Sequence, residues 1–230
     1  MGLKEYTKLR PTGPERFRKE YTRSFLEAVH AVLFAAVKRL QRRALMGFDE
    51  VAITGVLVRE LNAIVQSPRA PTRGFLLSIH DDPPIDAGVK TGKRRPRVDI
   101  QIEKVSPGPR IRFSFEAKRL RKDSPSSRAE YIGEDGLGCF VSGRYAAHVP
   151  WGGMLGYVES GGMKDWIMSV GDAIARKGSL ECFLEGHWNS PEFSFQHAPC
   201  RCSRHHRQGQ ADVLIFHSFL DLRAAVARSR

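Results

Sequence analysis

The sequence predicts an α/β protein in which a mixed central sheet is flanked by helices. Three observations carry this expectation. Apolar residues recur at three- and four-residue steps early in the chain, two runs alternate apolar and polar residues around a turn, and helix-like and strand-like segments then follow each other.

Residues 1–13 read as a lead punctuated by Pro and Gly. From Pro14 to about Leu45, Phe25, Leu26, Val29, Leu33, Val37 and Leu40 fall at helical spacing, as one amphipathic helix or two joined end to end. Its basic end (Lys38, Arg39, Arg42, Arg43) complements the helix dipole, a reading preferred here to a nucleic-acid-facing patch. A second helix is expected from Asp49, its N-cap, to about Val65, with Ile53, Val56, Leu57, Leu61 and Ile64 on one stripe. GFLLSIH reads as a strand, followed by a loop rich in Pro, Gly and basic residues. After two alternating segments come a Gly-rich helical stretch near 129–147, a strand at GGMLGYV, a helix at about 163–177 and two strand candidates, FSFQH and ADVLIFHSFL. Neither an internal repeat nor a long low-complexity run interrupts this order.

With 230 residues the chain can bury one sizeable core. No apolar run approaches the roughly 18 residues of a membrane span, and MGLKEYTKLRPTG has no apolar signal region, so a cytoplasmic protein without a membrane partner is expected. Four cysteines do not make a disulfide framework. The formal net charge of +12 favours a polyanionic partner. Residues 90–122 hold twelve Lys or Arg against three acids, Asp99, Glu103 and Glu116, so the basic surplus is local.

That segment carries the candidate chemistry. In VDIQIEKVSPGPRIRFSFEAKRL (98–120), Val98, Ile100 and Ile102 alternate with Asp99, Gln101 and Glu103. Ile111, Phe113, Phe115 and Ala117 alternate with Arg112, Ser114, Glu116 and Lys118. The runs flank Ser106-Pro107-Gly108-Pro109, a strong turn signal. With the turn centred between Pro107 and Gly108, Glu103 faces Arg112, Gln101 faces Ser114 and Asp99 faces Glu116. The last pair sets two carboxylates against each other, an arrangement that a divalent cation between them stabilises. Lys118 lies one step further on the same face. Phosphodiester hydrolysis needs such a metal to polarise the phosphate and acidify a water, and a lysine to orient the water or hold the phosphate. The ordinary reading is a solvated sheet face whose charges alternate by chance; the inferred register and the basic surround weigh against it.

RPRVDIQIE followed by RFSFEAKRL resembles the core of the PD-(D/E)XK (restriction-endonuclease-like) nucleases. The resemblance spans roughly residues 49–160 and implies a restriction-endonuclease-like core of αβββαβ order with a helical N-terminal extension. The expected division is 1–47 for that extension, 48–224 for the nuclease domain and 225–230 for a basic tail. It further implies Asp99, Glu116 and Lys118 as catalytic residues, with Mg²⁺ or Mn²⁺ held by Asp99, Glu116 and the carbonyl of Ala117. A carboxylate from the preceding helix often joins, and Glu50 is preferred to Glu60, which sits beside Arg59 like a solvated pair. Arg97-Val98 replaces the family's Pro-Asp dipeptide, a departure many members share. The implied activity is hydrolysis of DNA, in restriction or defence against foreign DNA. Nothing separates DNA from RNA, and a non-catalytic nucleic-acid-binding or partner-docking module on the same fold is the rival. Cutting both strands requires a homodimer or two nicks, and the N-terminal helix offers a dimer surface.

Arg95, Arg97, Arg119 and Arg144 are candidate nucleic-acid contacts, weighed against the ordinary reading of ion-paired surface arginines. The Gly-rich segment YIGEDGLGCFVSGRYA lacks a P-loop lysine and GxGxxG spacing. HAPCRCSRHH is dense in zinc-ligand types, but its C-x-C spacing favours a basic, turn-rich loop. Cys139 and Cys182 read as packing residues, and His217 with Asp221 lacks the exposed nucleophilic serine of a triad.

Overall fold

The computed structural model describes residues 14–84, 95–105, 111–145, 149–177, 200–207 and 209–227. Helix α1 (Pro14–Leu40) opens with proline at its first position, where a missing N–H costs nothing. It is one continuous helix that stops five residues short of the expected end. α2 (Glu50–Val65) starts as expected, with Asp49 accepting a hydrogen bond from the Ala52 N–H at 2.8 Å. Three strands follow: β1 (Leu77–Asp81), β2 (Ile100–Lys104) and β3 (Arg112–Leu120). The Gly-rich stretch forms two short helices instead of one, α3 (Ser127–Ile132) and α4 (Gly138–Val141). A Cβ at Gly136 would lie 2.3 Å from the Tyr131 carbonyl oxygen, so the chain doubles back there and no single helix can run through.

β4 (Trp151–Val158) and α5 (Met163–Lys177) lie where the periodicity puts them. β5 (Cys200–Arg207) corrects the loop expected for CRCSRHHR, and it pairs antiparallel with β6 (Gln210–Asp221). Its alternation is real but carried by unusual residues: Ser203, His205 and Arg207 are buried, while Arg204 and His206 between them are exposed. α6 (Arg223–Val226) crosses the expected boundary between the domain and its tail at 225. FSFQH, Cys182 and His197 lie outside the described residues.

The six strands form one mixed sheet in the order β1-β2-β3-β4-β6-β5, flanked by helices on both faces. β1, β2 and β3 are antiparallel neighbours, β4 runs parallel to β3 and to β6, and β5 returns antiparallel. The hairpin register is the expected one: Glu103 faces Arg112 and Gln101 faces Ser114. On one face α1 and α2 pack through Phe25, Leu33, Leu57 and Leu61 against Phe113, Phe115 and Tyr157. On the other, Tyr131, Phe140 and Val170 pack against Leu120, Met154 and Phe219. The helical N-terminal segment thus shares an apolar cluster with the sheet. Thr54 and Tyr157 join by a buried hydrogen bond of 3.0 Å, tying α2 to β4.

β4 passes through the centre of the sheet, and its glycines make room for rings on neighbouring elements. A Cβ at Gly153 would come within 2.3 Å of the Phe115 ring and 2.6 Å of the Phe113 ring. Gly153→Ala is therefore expected to destabilise the fold by about 1–3 kcal/mol through overpacking. A urea-unfolding midpoint equal to that of the wild type would refute this.

Candidate active site

β3 continues past the start of β2, and four side chains meet at that step. Asp99 immediately precedes β2, and the register that pairs Ile100 with Phe115 sets it opposite Glu116. Beyond β2 the Ala117 N–H has lost its strand partner, and Asp99 Oδ2 accepts from it at 2.6 Å. The Ala117 carbonyl lies along the same edge, because N–H and C=O of one strand residue point the same way. Lys118 Nζ donates to Glu116 Oε1 at 2.9 Å and to Glu50 Oε1 at 3.0 Å. The other Glu50 oxygen accepts from the Arg119 N–H at 3.0 Å. Glu50 is the first residue of α2, so the positive end of that helix dipole favours its charge.

Asp99, Glu116, Lys118 and Glu50 are thus brought together. Towards the site the polar face of the hairpin is not a solvated one, since Gln101, Ser114 and Glu116 are all buried, while Arg112 at the turn end is exposed. Burial, then the charge of Asp99, push the Glu116 carboxyl up to about 7 against the pull of Lys118. Burial also raises Asp99, opposed by its hydrogen bond from Ala117 and by Lys118. For Lys118 burial disfavours the ammonium, but Glu116 and Glu50 outweigh it and its pKa rises. Taken as ionised, three carboxylates against one ammonium leave the cluster at −2. The donors are all hard oxygens, and charge and donor type together fit a divalent cation such as Mg²⁺ or Mn²⁺. Among the described residues no three Asp, Glu, His or Cys side chains enclose an ion as they stand. Instead the Lys118 ammonium bridges Glu116 and Glu50, as an internal counter-ion. The chain matches no known protein-family model, no curated protein and no solved structure.

Glu60 is elsewhere. It is buried and faces α1, with Arg43 hydrogen-bonded to its Oε1 and Arg39 at 3.9 Å, which corrects the solvated pair with Arg59. The candidate nucleic-acid contacts are mostly engaged within the chain. Arg97 pairs with Asp82 at 2.7 Å, and Arg119 grips Glu159 through Nε and an Nη at 2.5 and 2.7 Å. Arg144 pairs with Asp135 at 3.1 Å and also donates to the Glu134 carbonyl. Arg95 buries an Nε with no hydrogen-bond partner among the described residues. Sequence reasoning missed Asp82 and Glu159, the acids that hold Arg97 and Arg119. Tyr145, next to Arg144, donates its hydroxyl to the Arg97 carbonyl. Only the parallel pairing of β3 with β4 makes the Arg119–Glu159 contact visible. Cys200 and Cys202 are buried in the apolar cluster under α1, as Cys139 is under the opposite face. Asp221 pairs with Arg223 and not with His217.

Proposed function

We propose that this chain is a metal-dependent nuclease of the PD-(D/E)XK superfamily, hydrolysing phosphodiester bonds in DNA. The observation that carries the reading is the cluster at the β2–β3 step: a lysine held between two carboxylates, beside a third that spans the strand end. The succession α2, β1, β2, β3, α3, β4 supports it, being the αβββαβ order that the resemblance implies, with α4 as an additional short turn of helix. Restriction or defence against foreign DNA is the setting the resemblance suggests.

Asp99 and Glu116, with the Ala117 carbonyl beside them, would hold the cation. A bound Mg²⁺ or Mn²⁺ supplies charge to the phosphate oxygens and lowers the pKa of a water. Asp99 keeps its carboxylate aimed along the strand edge through the Ala117 N–H. Glu50 fixes Lys118 and the Arg119 amide together, so the ammonium is positioned before substrate arrives. From there Lys118 can donate to a phosphate oxygen or orient the attacking water. Glu116 must give up its proton before it can serve as a ligand, which near neutral pH costs little.

The direct test incubates purified protein with supercoiled plasmid, linear duplex, single-stranded DNA and RNA, each with Mn²⁺, Mg²⁺ or EDTA. Cleavage of a DNA substrate with either metal and none in EDTA is expected. RNA cut while every DNA form survives would move the assignment to RNA. If folded protein cuts none of them with either metal, the nuclease reading fails.

A further inference from the structure

A pocket of about 350 Å³ opens beside the carboxyl ends of β3 and β4, between the chain leaving β3 and the start of α5. This is within the roughly 300–1,000 Å³ usual for small-ligand sites. Arg121, Lys122 and Arg128 line it with Trp166 and Ser169, and one acid, Asp165, joins them. Arg121 is already paired with Asp123 at 2.7 Å. Lys122 and Arg128 have no carboxylate partner among the described residues, in contrast to Arg97, Arg119 and Arg144. Arg128 reaches Ser169 Oγ at 3.1 Å, so its guanidinium is anchored on a neutral group. The Trp166 ring is fixed by its Nε1–H, which donates to the Ser160 carbonyl at 2.8 Å. Two spare cations and an oriented indole are the chemistry that recognises a phosphate attached to a flat, stackable base. Asp165 adds an acceptor for a sugar hydroxyl or base amine.

We propose that this pocket is a nucleotide subsite. It takes one nucleotide of the substrate strand, with its phosphate on Lys122 and Arg128 and its base at Trp166. The proposal rests on the nuclease reading for its purpose, though not for its chemistry. Lys122 stands four residues beyond Lys118, at most about 13 Å along an extended chain. A nucleotide held there is a few units from the scissile phosphate and fixes the strand's register over Glu116 and Lys118. It also supplies the phosphate contacts that the ion-paired arginines around the site do not.

The test separates binding from cleavage. Deoxyadenosine 5′-monophosphate is titrated into the protein in EDTA and followed by tryptophan fluorescence and calorimetry. Deoxyadenosine and inorganic phosphate serve as separate probes. The nucleotide is expected to bind more tightly than either fragment and to quench a signal that Trp166→Phe removes. The paired change Lys122→Gln with Arg128→Gln touches two exposed side chains and is expected to weaken binding about tenfold or more. In cleavage, the same double variant should raise KM with kcat nearly unchanged. Equal affinity of wild type and double variant for the nucleotide overturns the proposal, as does phosphate binding as tightly as the nucleotide. A protein that binds the nucleotide but cuts nothing would leave the subsite standing and remove the nuclease reading. One that cuts DNA with the double variant unaffected would do the reverse.

Discussion

Lys118→Ala is expected to lower DNA cleavage by about 10²- to 10⁴-fold, the usual cost of losing a positioned acid–base group. Among the described residues no other amine reaches Glu116 and Glu50 at once; Arg119 gives Glu50 its backbone N–H, and its side chain is committed to Glu159. The substitution is not silent for the fold. Lys118 is the internal counter-ion of a partly buried cluster, and its loss leaves three carboxylates facing one another. A destabilisation of about 1–3 kcal/mol is expected at pH 8, shrinking below pH 7 as Glu116 takes up a proton. Metal affinity should move the other way, since removing the ammonium deepens the negative charge of the site. Glu116→Gln should lose cleavage to a similar degree but lose metal affinity as well. Single-turnover cleavage alongside Mn²⁺ calorimetry separates the two roles. Wild-type turnover in Lys118→Ala would mean that the Glu116–Lys118 spacing is a coincidence of strand alternation.

How much of this was legible in the sequence depends on how local each feature is. The hairpin was, because a Pro/Gly turn and strict alternation fix both register and face, and these alone set Asp99 opposite Glu116. Only the neighbouring Arg59 set Glu60 apart from Glu50 in the sequence, and what decides between them is tertiary. α1 packs beside α2, and its last turn and the turn after it offer Arg39 and Arg43 to Glu60, while the β3 edge offers Lys118 to Glu50. β5 was missed because its buried positions are Cys200, Cys202, Ser203, His205 and Arg207, residue types that read as ligands or loop and not as a half-buried strand. The pocket was invisible for another reason. Residues 121–128 and 161–169 meet only because β3 and β4 run parallel side by side, and no short-range pattern announces that pairing.

Acidification is expected to unfold the protein well before its carboxylates are fully protonated. Among the described residues three histidines are entirely buried. His30 donates from Nδ1 to the Leu26 carbonyl at 2.8 Å and is ringed by Phe34, Phe113, Phe115 and Phe216. Between β5 and β6, the Ser203 hydroxyl lies 2.6 Å from His205 Nε2 and 2.7 Å from His217 Nε2, and Tyr131 meets the other ring nitrogen of His217. Burial pushes His30 and His205 down to about 4. Burial, followed by the neighbouring His205, lowers His217 as well. In the unfolded chain these rings titrate near 6.5. Their contribution is therefore complete above pH 6.5 and is lost as pH falls towards 4, by about 3 kcal/mol for each of His30 and His205. Glu116 acts in the opposite sense. Its carboxyl is raised in the folded state, so protonation between pH 7 and about 4.5 returns about 3 kcal/mol in the metal-free protein. The histidines prevail, and the net loss of several kcal/mol is comparable to the whole stability of a typical domain. Urea midpoints should fall steeply between pH 7 and pH 4.5, and more steeply still in Glu116→Gln, which lacks the compensating proton. His30→Phe places one more ring among its aromatic neighbours and removes one titrating group, so its midpoint should depend less on pH. Midpoints that stay level across this range would show that the three rings accept protons without leaving the core.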